Sequence, residues 1–125
     1  MIVGIGVDLV AVARLESALG AWGARLERRL FTEAEAAFCR AQRASAAAFA
    51  ARFAAKEAFA KALGTGVTAG LRWPEIEVTR DAAGRPGLAL HGAAERAARA
   101  RGVRGAHLSL SHDRGAAVAV VVLEG

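Results

Sequence analysis

Lys56 and Lys61 are the only two lysines in a chain that carries fifteen arginines, and they flank Glu57 in Arg52-Phe-Ala-Ala-Lys56-Glu57-Ala-Phe-Ala-Lys61-Ala-Leu-Gly64-Thr65-Gly66. An ammonium is a compact, strongly hydrated point charge, whereas a guanidinium is a planar fork, so the two are not interchangeable where one phosphate oxygen has to be met. Lysine kept here, in an arginine-writing chain, points to chemistry on phosphate. At 100° per residue Glu57 and Lys61 share one side of a helix, and Arg52 and Lys56 form a second pair with Phe49 and Phe53 between. This predicts two polar edges and an apolar strip. Gly64-Thr65-Gly66 then makes a turn in which backbone amides approach phosphate oxygens. Ordinary readings stand beside these: an i,i+4 ion pair worth about 0.3–0.5 kcal/mol, and a glycine cap.

A second carboxylate comes from Met1-Ile-Val-Gly4-Ile-Gly6-Val-Asp8. Alternation puts Val3, Ile5, Val7 and Leu9 on one face and Gly4, Gly6 and Asp8 on the other, where two glycines leave room for a ligand. The competing reading is a glycine-weakened edge strand ending in a solvated aspartate. If Asp8 and Glu57 converge, they form a hard-oxygen site with no cysteine or histidine in it, which suits Mg²⁺ completed by water and substrate phosphate. In His107-Leu-Ser109-Leu-Ser111-His112-Asp113, the residues His107, Ser109 and Ser111 share one strand face, and His112 beside Asp113 forms a pair able to accept a proton near neutral pH. Consecutive Ser111, His112 and Asp113 do not make a hydrolase triad, because neighbouring strand residues point to opposite faces.

The elements that must position these residues follow from pattern. Met1 to Val10 reads as a strand and Val12 to Trp22 as a helix carrying Arg14, with Arg25, Arg28 and Arg29 next in line. Thr32 and Glu35 fit a capping box, so a helix starts near Glu33 and runs towards Arg40. Ser45 is the expected cap of a long helix from Ala46 to Leu63, ended by Gly64 in a left-handed conformation. Glu75 to Arg80 and Gly87 to Leu90 read as a hairpin, Gly92 to Gly102 as a basic helix, and His107 to Leu123 as two strands around a tight turn. Helices set apart from paired strands indicate an α+β fold with a mainly antiparallel sheet and a long central helix.

At 125 residues the chain is expected to be one domain, residues 1–125, small enough that a sizeable ligand needs a neighbouring subunit to enclose it. No apolar run approaches the roughly 18 to 20 residues of a membrane helix, and the opening residues lack a basic leader, so a cytoplasmic protein away from membranes is expected. Cys39 stands alone, which leaves no internal disulfide and no cysteine-based zinc cluster. A net charge of +5 asks for an acidic partner. Nucleic acid is not that partner on this reading, because the chain has no tyrosine and its phenylalanines sit at helical spacing like core residues.

Three segments together resemble the small holo-[acyl-carrier-protein] synthases, the 4′-phosphopantetheinyl transferases of fatty-acid synthesis. They are Gly4-Ile-Gly6-Val-Asp8-Leu-Val10 with Arg14, then Arg52-Phe-Ala-Ala-Lys56-Glu57-Ala58 with Lys61-Ala-Leu-Gly64-Thr65-Gly66, and lastly His107-Leu-Ser109-Leu-Ser111-His112 with the final apolar strand. The likeness runs the length of the chain, in order and at family spacing. It implies transfer of the phosphopantetheine arm of coenzyme A to a serine of apo acyl carrier protein, releasing adenosine 3′,5′-bisphosphate.

The resemblance also implies roles. Asp8 and Glu57 hold Mg²⁺ against the coenzyme A pyrophosphate, and Lys61 meets the phosphate between transferred and leaving groups. Arg52, Lys56, Gly64, Thr65 and Gly66 hold the nucleotide, with Arg43 and Arg52 as candidates for the 3′-phosphate. The family's small enzymes are homotrimers with the site between neighbours, so His107, Ser109, Ser111 and His112 face the partner's Asp8. Arg14, Arg25, Arg28 and Arg29 steer in the acidic carrier protein. The serine proton goes to a metal-bound water, to Glu57, or to His112 with Asp113. The alternative is a non-enzymatic module that binds an acidic protein or nucleotide through the same arginines.

Overall fold

The computed structural model describes residues 1–64 and 70–125. In chain order it runs β1 (Ile2–Ala11), α1 (Val12–Leu30), α2 (Glu33–Arg40), α3 (Ser45–Leu63), a 3₁₀ turn (Trp73–Glu75), β2 (Ile76–Arg80), β3 (Pro86–Leu90), α4 (Gly92–Ala100), β4 (Gly105–Asp113) and β5 (Ala116–Glu124). Three strands pair antiparallel in the order β1-β5-β4, and β2 with β3 forms a separate antiparallel hairpin. The expected α+β class with antiparallel sheets is what the chain adopts. Among the described residues no helix is long and apolar enough to cross a membrane.

α3 lies across the sheet and is buried almost all round. Ala54, Ala55, Ala58, Phe59 and Leu63 pack against Ala119, Val121 and Leu123 of β5, which is why its sequence is alanine-rich rather than striped. Gly4 and Gly6 serve this packing. A Cβ at either position would stand 1.9 Å from a backbone oxygen of α3, that of Ala62 or of Ala58. The space expected for a ligand is thus taken by the helix, and the close approach sets Asp8 beside α3.

Local signals held at several places. Thr32 accepts from the Glu35 amide while Glu35 accepts from the Thr32 amide, completing the capping box. Gly64 ends α3 at φ 84°, its amide reaching Ala60 and Lys61. Ser45, by contrast, is the first residue of α3 rather than its cap, and Ala44 at the N-cap contributes no side-chain hydrogen bond. α1 also outruns its expected end at Trp22. The backbone breaks at Gly23, φ 63° and ψ −147°, and helix resumes through Arg25, Arg28 and Arg29.

The outer face of β1 is unusual. Ile5, Val7 and Leu9 are exposed, with Leu9 at 69%. An antiparallel sheet that faces water normally presents polar residues there, and a contiguous apolar strip marks an interaction surface.

Candidate active site

Asp8 and Glu57, forty-nine positions apart, line one cavity of about 520 Å³ between β1, α1 and α3, with Arg14 and Phe53 in its wall. Asp8 opposes Ala119 in the register of β1 with β5, and it points to the helix side of the sheet. Lys61, one turn beyond Glu57, donates to Asp8 Oδ1 at 2.8 Å and to the Val7 carbonyl at 3.2 Å. The lysine therefore pairs across the fold rather than with Glu57 along its own helix. Burial pushes the Glu57 carboxyl above the ordinary glutamate value; the Asp8 charge adds to this, and Lys61 with Arg14 opposes it. The hydrogen bond to Asp8, followed by its charge, raises Lys61. Two carboxylates thus line one cavity, and the Lys61 ammonium pairs with one of them.

Lys56 and Arg52 do not form the second polar edge that helical spacing predicted. Lys56 is wholly buried, and its Nζ donates to Glu35 Oε1 at 2.7 Å, the Ile76 carbonyl at 2.7 Å and the Trp73 carbonyl at 3.0 Å. Three acceptors use all three protons. The expected nucleotide contact at Lys56 is thereby corrected: its ammonium pins α3 to α2 and to the start of β2. Burial lowers its hold on the proton, and Glu35 opposes that. Glu35 completes the network by accepting from the Val78 amide at 2.8 Å. Sequence shows Glu35 only as a capping-box member; a buried partner for a core lysine has no short-range signature.

Arg52 is 3% exposed and lines a second cavity, of about 410 Å³, together with Arg43, Arg80, Ser111 and His112. Its Nε is the one buried side-chain polar atom without a hydrogen-bond partner among the described residues. Burial lowers its proton affinity; Cys39 opposes this and Arg80 adds to it. Its guanidinium carbon sits 4.1 Å from the centre of the Phe38 ring, and that of Arg80 sits 5.0 Å from the same ring. Sequence reading did not single out Phe38 or Arg80. Their only signal is an aromatic near the end of one helix and an arginine at the end of one strand.

His107, Ser109 and Ser111 are exposed on one face of β4, with Leu108 and Leu110 turned inward. His107 and Ser109 line a shallow cavity with Arg85 and Pro86, and His107 Nε2 lies 3.0 Å from Glu124 Oε1. His112 and Asp113 are exposed at the end of β4, before the two-residue turn Arg114-Gly115. These groups and the Asp8–Glu57 cavity are not brought together within one chain, since that cavity shares no lining residue with either of the other two.

Gly64 begins the turn after α3, where the Arg101 guanidinium also donates to the Leu63 carbonyl; Thr65 and Gly66 lie outside the described residues. Arg14 stands at the Asp8 cavity, Arg25 and Arg29 flank exposed Trp22, and Arg28 faces the start of α2. Burial pushes the Cys39 thiol up to about 11, which leaves it protonated and unreactive.

Known proteins share both sequence and shape with this chain. It is 53% identical over 125 residues to the holo-[acyl-carrier-protein] synthase of Desulforudis audaxviator, covering 100% of this chain and 95% of the relative. The crystal structure of holo-[acyl-carrier-protein] synthase from Neisseria meningitidis superposes with a TM-score of 0.91 at 33% identity, covering all of both chains. That of a holo-(acyl-carrier-protein) synthase from Bacillus anthracis in complex with CoA (3′,5′-ADP) gives 0.78 at 37% identity, covering 98% of this chain and 96% of that one. The family model described as the 4′-phosphopantetheinyl transferase superfamily matches residues 4–121, and the chain whose two carboxylates meet beside Lys61 belongs to that family.

Proposed function

We propose that this protein moves the 4′-phosphopantetheine group of coenzyme A to a serine hydroxyl of apo acyl carrier protein, giving holo carrier protein and adenosine 3′,5′-bisphosphate. The observation that carries this reading is that Asp8 and Glu57 line one cavity while Lys61 pairs with Asp8, in a chain that matches the transferase family over nearly its whole length. The complex of the Bacillus anthracis relative with CoA (3′,5′-ADP) supports the coenzyme as donor.

Two carboxylates on one wall, one raised in part by the charge of the other, call for a cation, and the donor set fits Mg²⁺, which takes one or two carboxylates and leaves its other positions to water and substrate phosphate. Asp8 and Glu57 would hold it. When bound, the ion neutralises charge on the pyrophosphate. The serine oxygen forms a bond to the phosphorus of the pantetheine phosphate, and the bond from that phosphorus to the bridging oxygen breaks. The electron pair leaves with the bisphosphate. Lys61, on its flexible stem at the cavity edge, meets the same phosphate oxygens, so its part is electrostatic positioning. The serine proton goes to one of three acceptors: a water at the site, Glu57, or His112 with Asp113 from a neighbouring copy.

Arg43 and Arg52 are assigned to the 3′-phosphate of the coenzyme. The unpartnered Nε of Arg52 and the absence of any acidic residue from that cavity's lining support this. Arg14, Arg25, Arg28 and Arg29 face the acidic carrier protein. We infer a homotrimer, supported by the apolar outer face of β1 and by the separation of the two cavities within one chain. Light scattering is expected to give three chain masses; an active monomer at assay concentration would overturn that inference.

Intact mass of apo carrier protein after incubation with coenzyme A and Mg²⁺ tests the function. A gain of one phosphopantetheine is expected, and chelation of divalent ions is expected to stop it. An unmodified carrier protein that still binds would leave only a binding module.

A further inference from the structure

Two arginines share one aromatic ring in the cavity assigned to the 3′-phosphate. Arg52 from α3 and Arg80 from the end of β2 bring their guanidinium carbons to 4.1 and 5.0 Å from the centre of Phe38 in α2. Both distances lie within the range in which a cation is attracted to a ring face. Two guanidiniums held this near one another repel, and among the described residues neither forms an ion pair with a carboxylate. Arg80 is also tethered, because its Nη1 donates to the Gly84 carbonyl at 2.8 Å across the turn of the β2–β3 hairpin. Arg43 and His112 stand in the same wall. Concentrated positive charge that is fixed in place but unneutralised by protein fits a ligand group carrying about two negative charges.

We propose that Arg80 determines specificity for the 3′-phosphate of coenzyme A, and that Phe38 is a positioning residue holding Arg80 and Arg52 for it; this rests on the transferase reading above. A phosphate monoester carries a charge of roughly −1.5 to −2 at neutral pH, and dephospho-coenzyme A offers only a neutral hydroxyl at that place. A guanidinium fork meets phosphate through two parallel hydrogen bonds, which a hydroxyl cannot match. The pyrophosphate and pantetheine parts are common to both donors. Arg80 therefore acts on the difference between them.

The test compares coenzyme A with dephospho-coenzyme A as donors. In Arg80→Met the preference for coenzyme A is expected to fall by about tenfold, the size of one charge-assisted contact, through a raised KM for coenzyme A with kcat little changed. Arg80→Lys, which keeps the charge but not the fork, restores part of it. Phe38→Leu shifts the preference in the same direction by a smaller factor. Damage to the fold alone would impair both donors equally. Titration calorimetry with adenosine 3′,5′-bisphosphate against adenosine 5′-monophosphate reads the same preference without turnover. An Arg80→Met enzyme that keeps the wild-type preference in both assays overturns the proposal and leaves the transferase reading intact. So does a wild type that does not distinguish the two nucleotides. A wild type that prefers the bisphosphate but fails to modify carrier protein, and whose preference is lost in Arg80→Met, would sink the transferase reading and uphold the phosphate site.

Discussion

Replacing Glu57 by alanine is expected to lower turnover by about a hundredfold or more while leaving the protein at least as stable as before. The first half follows from the role assigned to the carboxyl. A metal ion at a transferring phosphate supplies several kcal/mol of charge stabilisation, and each decade of rate takes about 1.4 kcal/mol. The second half follows from electrostatics. Burial and the charge of Asp8 both disfavour the ionised form of Glu57, and alanine is the better helix former.

The pH dependence has a definite sign. A carboxyl whose folded pKa lies above its unfolded value contributes stability that is full below the unfolded pKa and lost as pH rises through the folded one. Any advantage in melting temperature of Glu57→Ala over wild type should therefore be present near neutral pH, shrink as the pH falls through the raised folded pKa, and be gone below the ordinary glutamate value of 4.5. Melts across that range, beside steady-state rates of carrier-protein modification, check both halves. Near-full turnover in the variant would end the proposed role of Glu57. A melting temperature many degrees lower would mean that the rate loss reported folding.

Lys56→Met is expected to act in the opposite manner, on the fold first. The substitution keeps the length of the side chain and removes the ammonium, stranding the Glu35 carboxylate at 2% exposure with only the Thr32 and Val78 amides for company. The Trp73 and Ile76 carbonyls lose a donor as well. Breaking a buried pair from one side costs about 3–5 kcal/mol, set against a total stability for a chain this size on the order of 5–15 kcal/mol. Combining it with Glu35→Gln removes the uncompensated charge. The double variant should recover a substantial part of the loss, since the desolvation of two ions offsets much of what their attraction contributes. Denaturant titration gives the cycle directly. A Lys56→Met protein as stable as wild type, or a double variant no better than the single, would show that the pair does not hold α3 in place. Arg52 and Glu57 sit four residues before and one after Lys56, so coenzyme binding should weaken with the same substitution.

Much of the fold was readable residue by residue because its signals are short-range. The Thr32–Glu35 capping box, the left-handed Gly64, the two hairpins and the alternation of β1 each depend on neighbours a few positions apart. The family was legible for a related reason, since Asp8, the Arg52-to-Gly66 segment and the His107-to-His112 stripe stand in sequence order. Three assignments waited on tertiary structure. Lys56 and Lys61 look alike in sequence, but Lys56 turns inward to Glu35 and Lys61 reaches out to Asp8; helical geometry gives a direction and says nothing of what stands opposite. Gly4 and Gly6 signal a close approach, but only packing reveals that the approaching body is α3. Phe38 and Arg80 join Arg52 through elements distant in sequence. Spacing fixes which side of its own element a residue takes, while burial, partner and charge environment are set by the element that packs against it, and that long-range choice decided which cations of this chain are free to meet phosphate.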